Sequence, residues 1–282
     1  MWNRHVETFL GCDSEYAAAD IVLLGAAFDA TTSYRPGTRF ASRVMRAESY
    51  GLETYSPYLD RDLSELAVFD AGDPELPFGE PAHALALLEE KIKTILADEK
   101  LPVMLGGEHL VTLAAVRAVT ARYPDLHIIH LDAHADLRDD YLGAKLSHAC
   151  VLRRCWDLLG DGRIFQFGIR SGDQSEFIWG AQHVWTHRFD LDGLQEKLEQ
   201  LCGMPLYFTL DLDVLDPSVF PGTGTPEPGG ISFQELLAGV HALRGHRIVG
   251  CDICELSPPY DPSGISTAAA DKILRELLLT IG

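Results

Sequence analysis

The sequence predicts an α/β fold organised around a mainly parallel sheet, and three observations carry that reading. Short apolar runs alternate with longer amphipathic segments along the chain. Most of the short runs are continuously apolar, the pattern of strands buried on both faces. The longer segments repeat their apolar residues at helical spacing. A strand-then-helix alternation implies parallel strands joined by right-handed crossovers.

The first two strands are expected over 19–28 (ADIVLLGAAF) and 66–72 (LAVFDAG). A helix follows over 81–100, with Pro81 in its first turn, where a missing N–H leaves no hydrogen bond unmade. LPVMLGG (101–107) reads as a strand and LVTLAAVRAVTARY (110–123) as a helix. LHIIHLD (126–132), RIFQFGIR (163–170) and HVWTHR (183–188) are further strands, followed by a helix over 191–202. The last two strands are PLYFTLDLD (205–213) and RIVGCDICEL (247–256), with helices over 232–243 and 267–281. DPSVFPGTGTPEPGG (216–230) directly follows a strand and reads as a loop. No repeat, low-complexity tract or linker divides the chain, so residues 1–282 are expected to form a single domain.

Composition narrows the function. The net charge of −19 argues against a nucleic-acid partner, because phosphate backbones are held by Lys and Arg. A negative field attracts cations, whether metals or amine substrates, although an acidic surface also simply confers solubility. The opening MWNRHVETFLGCDSEY lacks an apolar stretch after a basic start, so no signal peptide is expected. No apolar run reaches the roughly 20 residues that cross a bilayer, so no membrane partner is expected. Six cysteines (Cys12, Cys150, Cys155, Cys202, Cys251, Cys254) do not form a disulfide pattern, and a reducing cytoplasm is the expected location.

The chemistry-bearing residues collect at the C-terminal ends of expected strands, where open α/β sheets bind their ligands. The clusters are GGEH (106–109), DAHAD (132–136), DLD (211–213) and Glu255. If each stays extended, Asp211 and Asp213 share one face, as do Asp132, His134 and Asp136. Each piece alone has a plainer reading: a D-x-D turn, a glycine turn, a satisfied histidine. Together, converging carboxylates are tenable only around divalent cations. Oxygen-rich ligation with imidazole and no thiolate suits manganese better than zinc, and the carboxylate count suits two ions.

These motifs, with DLDVLDP running into FPGTGTPEPGG and the E-x-S-P-x-Y-D run at Glu255, resemble the metal signatures of the ureohydrolases, the arginase and agmatinase family. SYRPGTRF (33–40), GLETYSPYLDRDL (51–63), FDAGD (69–73) and FGIRSGD (167–173) extend the resemblance, chiefly to bacterial agmatinases, from about residue 20 onward. The resemblance implies a three-layer α/β/α fold around a mainly parallel eight-stranded sheet. It also implies two Mn(2+) ions, one held by His109, Asp132, Asp136 and Asp211, the other by Asp132, His134, Asp211 and Asp213. Water activated between the ions would attack the guanidinium carbon of a small cationic guanidino substrate. Glu255 would bind the guanidinium, Asp136 would accept a proton, and His148 would carry one to the leaving amine. A homo-oligomer, trimeric or hexameric, is likewise implied.

The chain departs from the family pattern at Ala135, where Thr or Ser is common, and at Ala149 and Cys150, which are expected to make the wall beside His148 less polar. Glu108 stands where Asp is commoner. The loop 137–148 has no Asn and only Ser147, unlike loops that read the amino-acid end of arginine. Asp139 and Asp140 are expected to greet a free ammonium, which favours agmatine, cleaved to putrescine and urea. Arg138 and Lys145 point instead to a carboxylate, as in guanidinobutyrate. Formiminoglutamate hydrolysis is a same-fold alternative, and a metal-binding scaffold without catalysis is an alternative of another class. Cys251 and Cys254, three apart on a strand, face opposite ways and are expected in the core. His127 and His130 are expected to be hydrogen-bonded core groups, with His130 behind a ligand. The remaining histidines, His5, His83, His183, His187, His241 and His246, are expected at the surface.

Overall fold

The computed structural model describes residues 7–282. Eight strands lie where apolar runs were expected: β1 (Ile21–Ala26), β4 (Val68–Asp70), β5 (Leu101–Gly106), β6 (His127–Leu131), β7 (Ile164–Ile169), β8 (Trp185–Arg188), β9 (Leu206–Asp211) and β10 (Ile248–Cys254). They form one sheet in the order β4-β1-β5-β10-β9-β6-β7-β8. Every pairing in it is parallel. A small antiparallel pair, β2 (Tyr55–Ser56) with β3 (Arg61–Asp62), lies outside the sheet and was not expected.

Alternate residues on each strand feed two separate apolar cores, which makes three layers. Leu23, Leu105, Phe208 and Leu210 face one core, shared with α1 (Ala41–Glu48), α6 (Leu194–Gln200), α7 (Phe233–His241) and α8 (Ile265–Ile281). Val22, Leu24, Met104 and Tyr207 face the other, shared with α2 (Pro81–Ala97), α3 (Thr112–Arg122) and α4 (Val151–Leu159), with Phe177 of α5 (Gln174–His183) packed against it. Cys251 and Cys254 fall in opposite cores, as strand geometry requires. Among the described residues no helix is long and apolar enough to cross a membrane.

Three helices escaped the periodicity reading. In α1 the buried face includes Ser42 and Arg46, and Arg46 bonds Asp70 at 2.8 Å and Asp73 at 2.6 Å. Polar partners there replace the apolar stripe. The α5 helix has a weak stripe too, but Asp173 and Glu176 form a capping box at its start.

The motif-bearing strands β5, β10, β9 and β6 are adjacent in the sheet. Their C-terminal ends therefore meet in one crevice although the sequence separates them widely.

On the α8 side, Asp271 is fully buried and neither carboxylate oxygen has a hydrogen-bond partner. Burial, and then the charge of Glu48, pushes its pKa up to about 9. The unfolded chain loses this proton near pH ~3.9. Stability from this group is therefore fully present below that pH and is lost as pH rises toward the folded value. Asp271→Asn is expected to raise Tm at pH 8 by more than at pH 5; an equal shift at both, measured by calorimetry, would show that the carboxyl is not held neutral.

Candidate metal centre

Local backbone, more than strand alternation, brings the acidic and imidazole groups together. β5 ends at Gly106, and a Cβ on Gly107 would collide with the backbone of Phe28. Glycine at 107 is thus a requirement of close approach, and it lets His109 open a single 3₁₀ turn before α3. β9 stops at Asp211; Leu212–Val214 is a 3₁₀ turn held by Asp213 N–H donating to Asp211 Oδ1 at 2.8 Å. The extended D-x-D geometry expected from sequence is therefore replaced by a turn that still points both carboxylates inward. DAHAD also leaves the strand, since β6 ends at Leu131 and Asp136 sits at φ 53°. Glu255, at φ 66°, is likewise left-handed. A non-glycine residue in that region costs on the order of 1 kcal/mol, so the surroundings impose both conformations. Leu152 and Arg153 N–H groups donate to the Asp136 carbonyl, and Glu255 N–H donates to the Gly107 carbonyl.

The predicted ligand residues converge. His109 Nδ1 lies 3.1 Å from Asp132 Oδ2, 3.2 Å from Asp136 Oδ2 and 3.5 Å from Asp211 Oδ2. His134 Nδ1 lies 3.1 Å from Asp213 Oδ2 and 3.6 Å from Asp132 Oδ1. Asp132 is common to both groups. Clusters of these residues are dense enough to hold a metal ion, one containing His109 and Asp132, the other Asp132, His134 and Asp213. His130 also falls in the first cluster, but its Nε2 bonds Asp132 at 2.8 Å and its Nδ1 faces Gln166 at 3.1 Å. With both ring nitrogens engaged, it stands behind a ligand and is not one itself.

Hydrogen bonding shows that a cation fits. Thr209 Oγ1 donates to Asp252 Oδ1 at 2.7 Å and lies 2.9 Å from His109 Nε2. With its proton committed to Asp252, Thr209 accepts from His109, so Nε2 carries the ring hydrogen. His109 Nδ1 is then a bare lone pair, buried without a hydrogen-bond partner and facing three carboxylates. A lone pair among anions is strongly repulsive unless a positive ion lies between them.

Without such an ion the carboxyl groups resist ionisation. Burial raises Asp136 to about 7, with the charge of Asp132 adding to it. Burial, followed by the charge of Asp213, raises Asp211 well above the usual carboxylate range. Asp132 goes the other way: burial would raise it, but the three histidines around it, His109, His130 and His134, hold it well below. Burial would lower His109, and the carboxylates of Asp132 and Asp136 facing Nδ1 reverse this and raise it, so that without a metal ion a proton takes the cation's place on Nδ1.

The cluster floors a cleft of about 300 Å³ whose walls include Ser33, His148, Thr225 and Glu255. Glu255 Oε1 accepts from the His109 backbone N–H at 2.7 Å. His148 Nε2 lies 3.3 Å from Ser33 Oγ, and burial lowers its pKa to about 4. Glu108 takes no place among the ligand groups; it accepts from Thr31 N–H and from both Thr31 and Thr32 hydroxyls, fixing the loop that carries Ser33. Thr225, in the 216–230 loop, donates to Asp213 at 3.3 Å. Gly224 lies beside Glu255, while Gly222 and Thr223 pack against Ser266 and Arg35.

Several expectations about the mouth are corrected. Asp139 pairs with Arg154 at 2.7 Å and Asp140 accepts from Gly143 N–H; neither lines the cleft. Asp173 and Glu176, from the unexpected α5 start, line it instead. Arg138 lines the cleft as well, ion-paired with Asp173 and 3.4 Å from Glu176. Ala149 is a wall residue, but Cys150 is buried behind it with Sγ toward the Ala144 carbonyl. His127 stacks near Phe165, and its Nδ1 lacks the hydrogen bond expected of it. His83 is exposed; His183, His187, His241 and His246 are half-buried, three of them paired with Asp161, Asp190 and Glu276, and His5 lies outside the described residues.

The arginase family model matches residues 19–280. The agmatinase of Bacillus subtilis is 47% identical over 277 residues, covering 97% of this chain and 96% of the relative. The guanidinobutyrase of Pseudomonas aeruginosa is 33% identical, covering 95% of this chain and 88% of its own. The crystal structure of the agmatine ureohydrolase of Thermoplasma volcanium superposes with a TM-score of 0.91 at 34% identity, covering 99% of this chain and 95% of that one.

Thr209→Val keeps the side-chain shape but leaves His109 Nε2–H without an acceptor. Calorimetric titration with Mn(2+) is expected to show affinity about 10–100-fold weaker, whereas wild-type affinity would mean that Thr209 does not orient the ring.

Proposed function

The chain belongs to the arginase family, and we propose that it is one ureohydrolase domain that cleaves agmatine to putrescine and urea at a binuclear manganese site. Its enzyme class, agmatinase-type ureohydrolase, follows from the relatives and the fold. One observation carries the finer reading: two carboxylate–imidazole groups share Asp132 beneath Glu255 in a cleft with an acidic mouth.

The residues divide the work by position. His109, Asp132, Asp136 and Asp211 would hold one divalent ion and Asp132, His134, Asp211 and Asp213 the other, and such a pair, when bound, lowers the pKa of a water shared between the ions. Glu255, half satisfied by the His109 N–H, keeps Oε2 for the guanidinium and orients its plane above the cluster. Asp136 accepts a proton as the guanidinium carbon becomes tetrahedral. His148, neutral at pH 7 because burial lowers its pKa to about 4, would take up a proton at one ring nitrogen as it releases one from the other toward the leaving amine, ending neutral again, with Ser33 Oγ next to it.

The mouth supports a dication. Asp173 and Glu176 carry two negative charges, and Arg138, bound to both, cancels one. A distal ammonium completes that balance, whereas a distal carboxylate must take Arg138 from its partners. Free thiols at all six cysteines accord with a reducing cytoplasm, and the resemblance to agmatinases supports a homo-oligomer.

Urea release from agmatine, arginine, 4-guanidinobutyrate and formiminoglutamate by manganese-loaded protein tests the reading. Agmatine is expected to turn over fastest; a clear lead for a carboxylate-bearing substrate would reverse the specificity assignment and leave the ureohydrolase chemistry standing. Metal uptake without urea from any of them would favour a binding scaffold. Asp213→Ala is expected to lose one equivalent of metal and nearly all turnover, and near-normal rates with full metal content would rule out its place in the binuclear site.

A further inference from the structure

Beneath the ligand groups, five polar side chains lie in one row across five adjacent strands. Strand registers pair Asp252 with Thr209, Thr209 with His130, His130 with Gln166, and Gln166 with Thr186. Each of the first four is flanked along its strand by residues of the opposite core, so all four point to the same face of the sheet. Asp252, Thr209, His130 and Gln166 are fully buried. An apolar row would avoid the desolvation of four polar groups, so their presence calls for a reason beyond packing.

We propose that Gln166 is a positioning residue for the metal centre: it fixes His130 with Nδ1 bare and Nε2 protonated, and thereby locks the carboxylate of Asp132. This rests on the metal reading of the cluster. The argument begins at the Ala135 carbonyl, which can only accept a hydrogen bond. It lies 2.7 Å from the Gln166 amide nitrogen, so the amide cannot be turned over. In this orientation Thr186 Oγ1, at 2.9 Å, donates to the amide oxygen. The second amide hydrogen points to His130 Nδ1 at 3.1 Å. Nδ1 must accept it, so the hydrogen of the neutral ring sits on Nε2 and is donated to Asp132 Oδ2 at 2.8 Å.

The consequence falls on Asp132. Its Oδ2 receives His130 Nε2–H, and its Oδ1 receives the His134 backbone N–H at 2.6 Å. One lone-pair direction on each oxygen is thus taken by the protein. The directions left free are the ones facing His109 on one side and His134 on the other. A carboxylate held in this way is set to serve two ions, one per oxygen. Without Gln166 the His130 ring has no fixed tautomer, and with Nε2 bare it would repel Asp132.

Ring nitrogen shifts read the tautomer directly. Solid-state NMR of metal-free protein carrying ¹⁵N-histidine is expected to show wild-type His130 protonated at Nε2 only, with His130→Asn assigning the signal. Gln166→Glu, which offers an acceptor in place of the donor, is expected to move the hydrogen to Nδ1 or to protonate both nitrogens. Gln166→Met, which offers neither, is expected to leave a mixture. Both variants should bind Mn(2+) about 10–100-fold more weakly by calorimetry, the range usual for groups behind metal ligands. A wild-type ring protonated at Nδ1, or variants that keep the Nε2 tautomer and wild-type affinity, would overturn the proposal. Wild-type protein that takes up no Mn(2+) would instead overturn the metal reading, and the ring spectrum is interpretable in either event.

Discussion

Packed negative charge with no lysine or arginine among it is the constraint to which the rest of this molecule answers. Asp132, Asp136, Asp211 and Asp213 are all buried, and the nitrogens nearest them, on His109 and His134, belong to rings that are neutral when they act as ligands. Such an assembly is costly unless cations lie in its midst, and its clusters are dense enough to hold them. Much of the local structure serves to keep the ligand groups in place. Gly107 allows the chain to pass against Phe28, and Asp136 and Glu255 are held in left-handed backbone. A buried polar row meanwhile occupies sheet positions where apolar residues would pack more cheaply.

A rigid floor and a more adjustable wall follow from where each residue is placed. Floor residues stand at the ends of four neighbouring parallel strands, whose spacing is fixed by ladder hydrogen bonds. Wall and mouth residues come from loops and a helix start: Ser33 from the segment clamped by Glu108, His148 from the turn before α4, Asp173 and Glu176 from the start of α5. Substitution at the wall changes what fits without moving the floor. Among the relatives, one is named for agmatine and another for guanidinobutyrate. Arg138 is the one basic side chain of this wall other than the histidines, and its pairing with Asp173 and Glu176 occupies it.

The parts of the fold legible in the sequence were those governed by burial on both faces. The sheet strands other than β8 announce themselves as apolar runs, since a strand covered on both sides has no solvent-facing position to mark; the edge strand β8 (WTHR) is exposed at both ends and carries no such run. Helices with a clear apolar stripe were equally legible. The α1 helix was not, because Arg46 is buried by ion pairing and a stripe cannot show that. For α5 a signal was present and missed: Asp173 and Glu176 have capping-box spacing, and the same two residues turned out to form the mouth. At the metal centre the identities of the converging residues were legible and their backbone was not. Strand alternation suggested one face for Asp211 and Asp213, whereas a 3₁₀ turn and left-handed Asp136 do the aiming.

The polar row had a sequence trace as well. The apolar centres of four runs, IIHL (128–131), FQF (165–167), FTL (208–210) and CDI (251–253), each carry a single polar residue: His130, Gln166, Thr209 and Asp252. One such interruption means little, since buried polar groups occur in most cores. Their significance comes from register, which a single sequence does not supply. Once the strands are aligned, His130 and Thr209 are direct neighbours, each contacts a ligand residue, and each is fixed by a further polar group on its outer side. The asymmetry is informative. His109 is oriented through a hydroxyl backed by a carboxylate, which strengthens its hold on the ring hydrogen and makes Nδ1 more basic. Asp132 is oriented through an imidazole backed by an amide, an uncharged relay that fixes geometry without adding negative charge beneath a carboxylate already short of solvent. Placing a carboxylate in the amide's position would load one more anion under the residue common to both ligand groups, so a neutral donor is the physically consistent occupant of position 166.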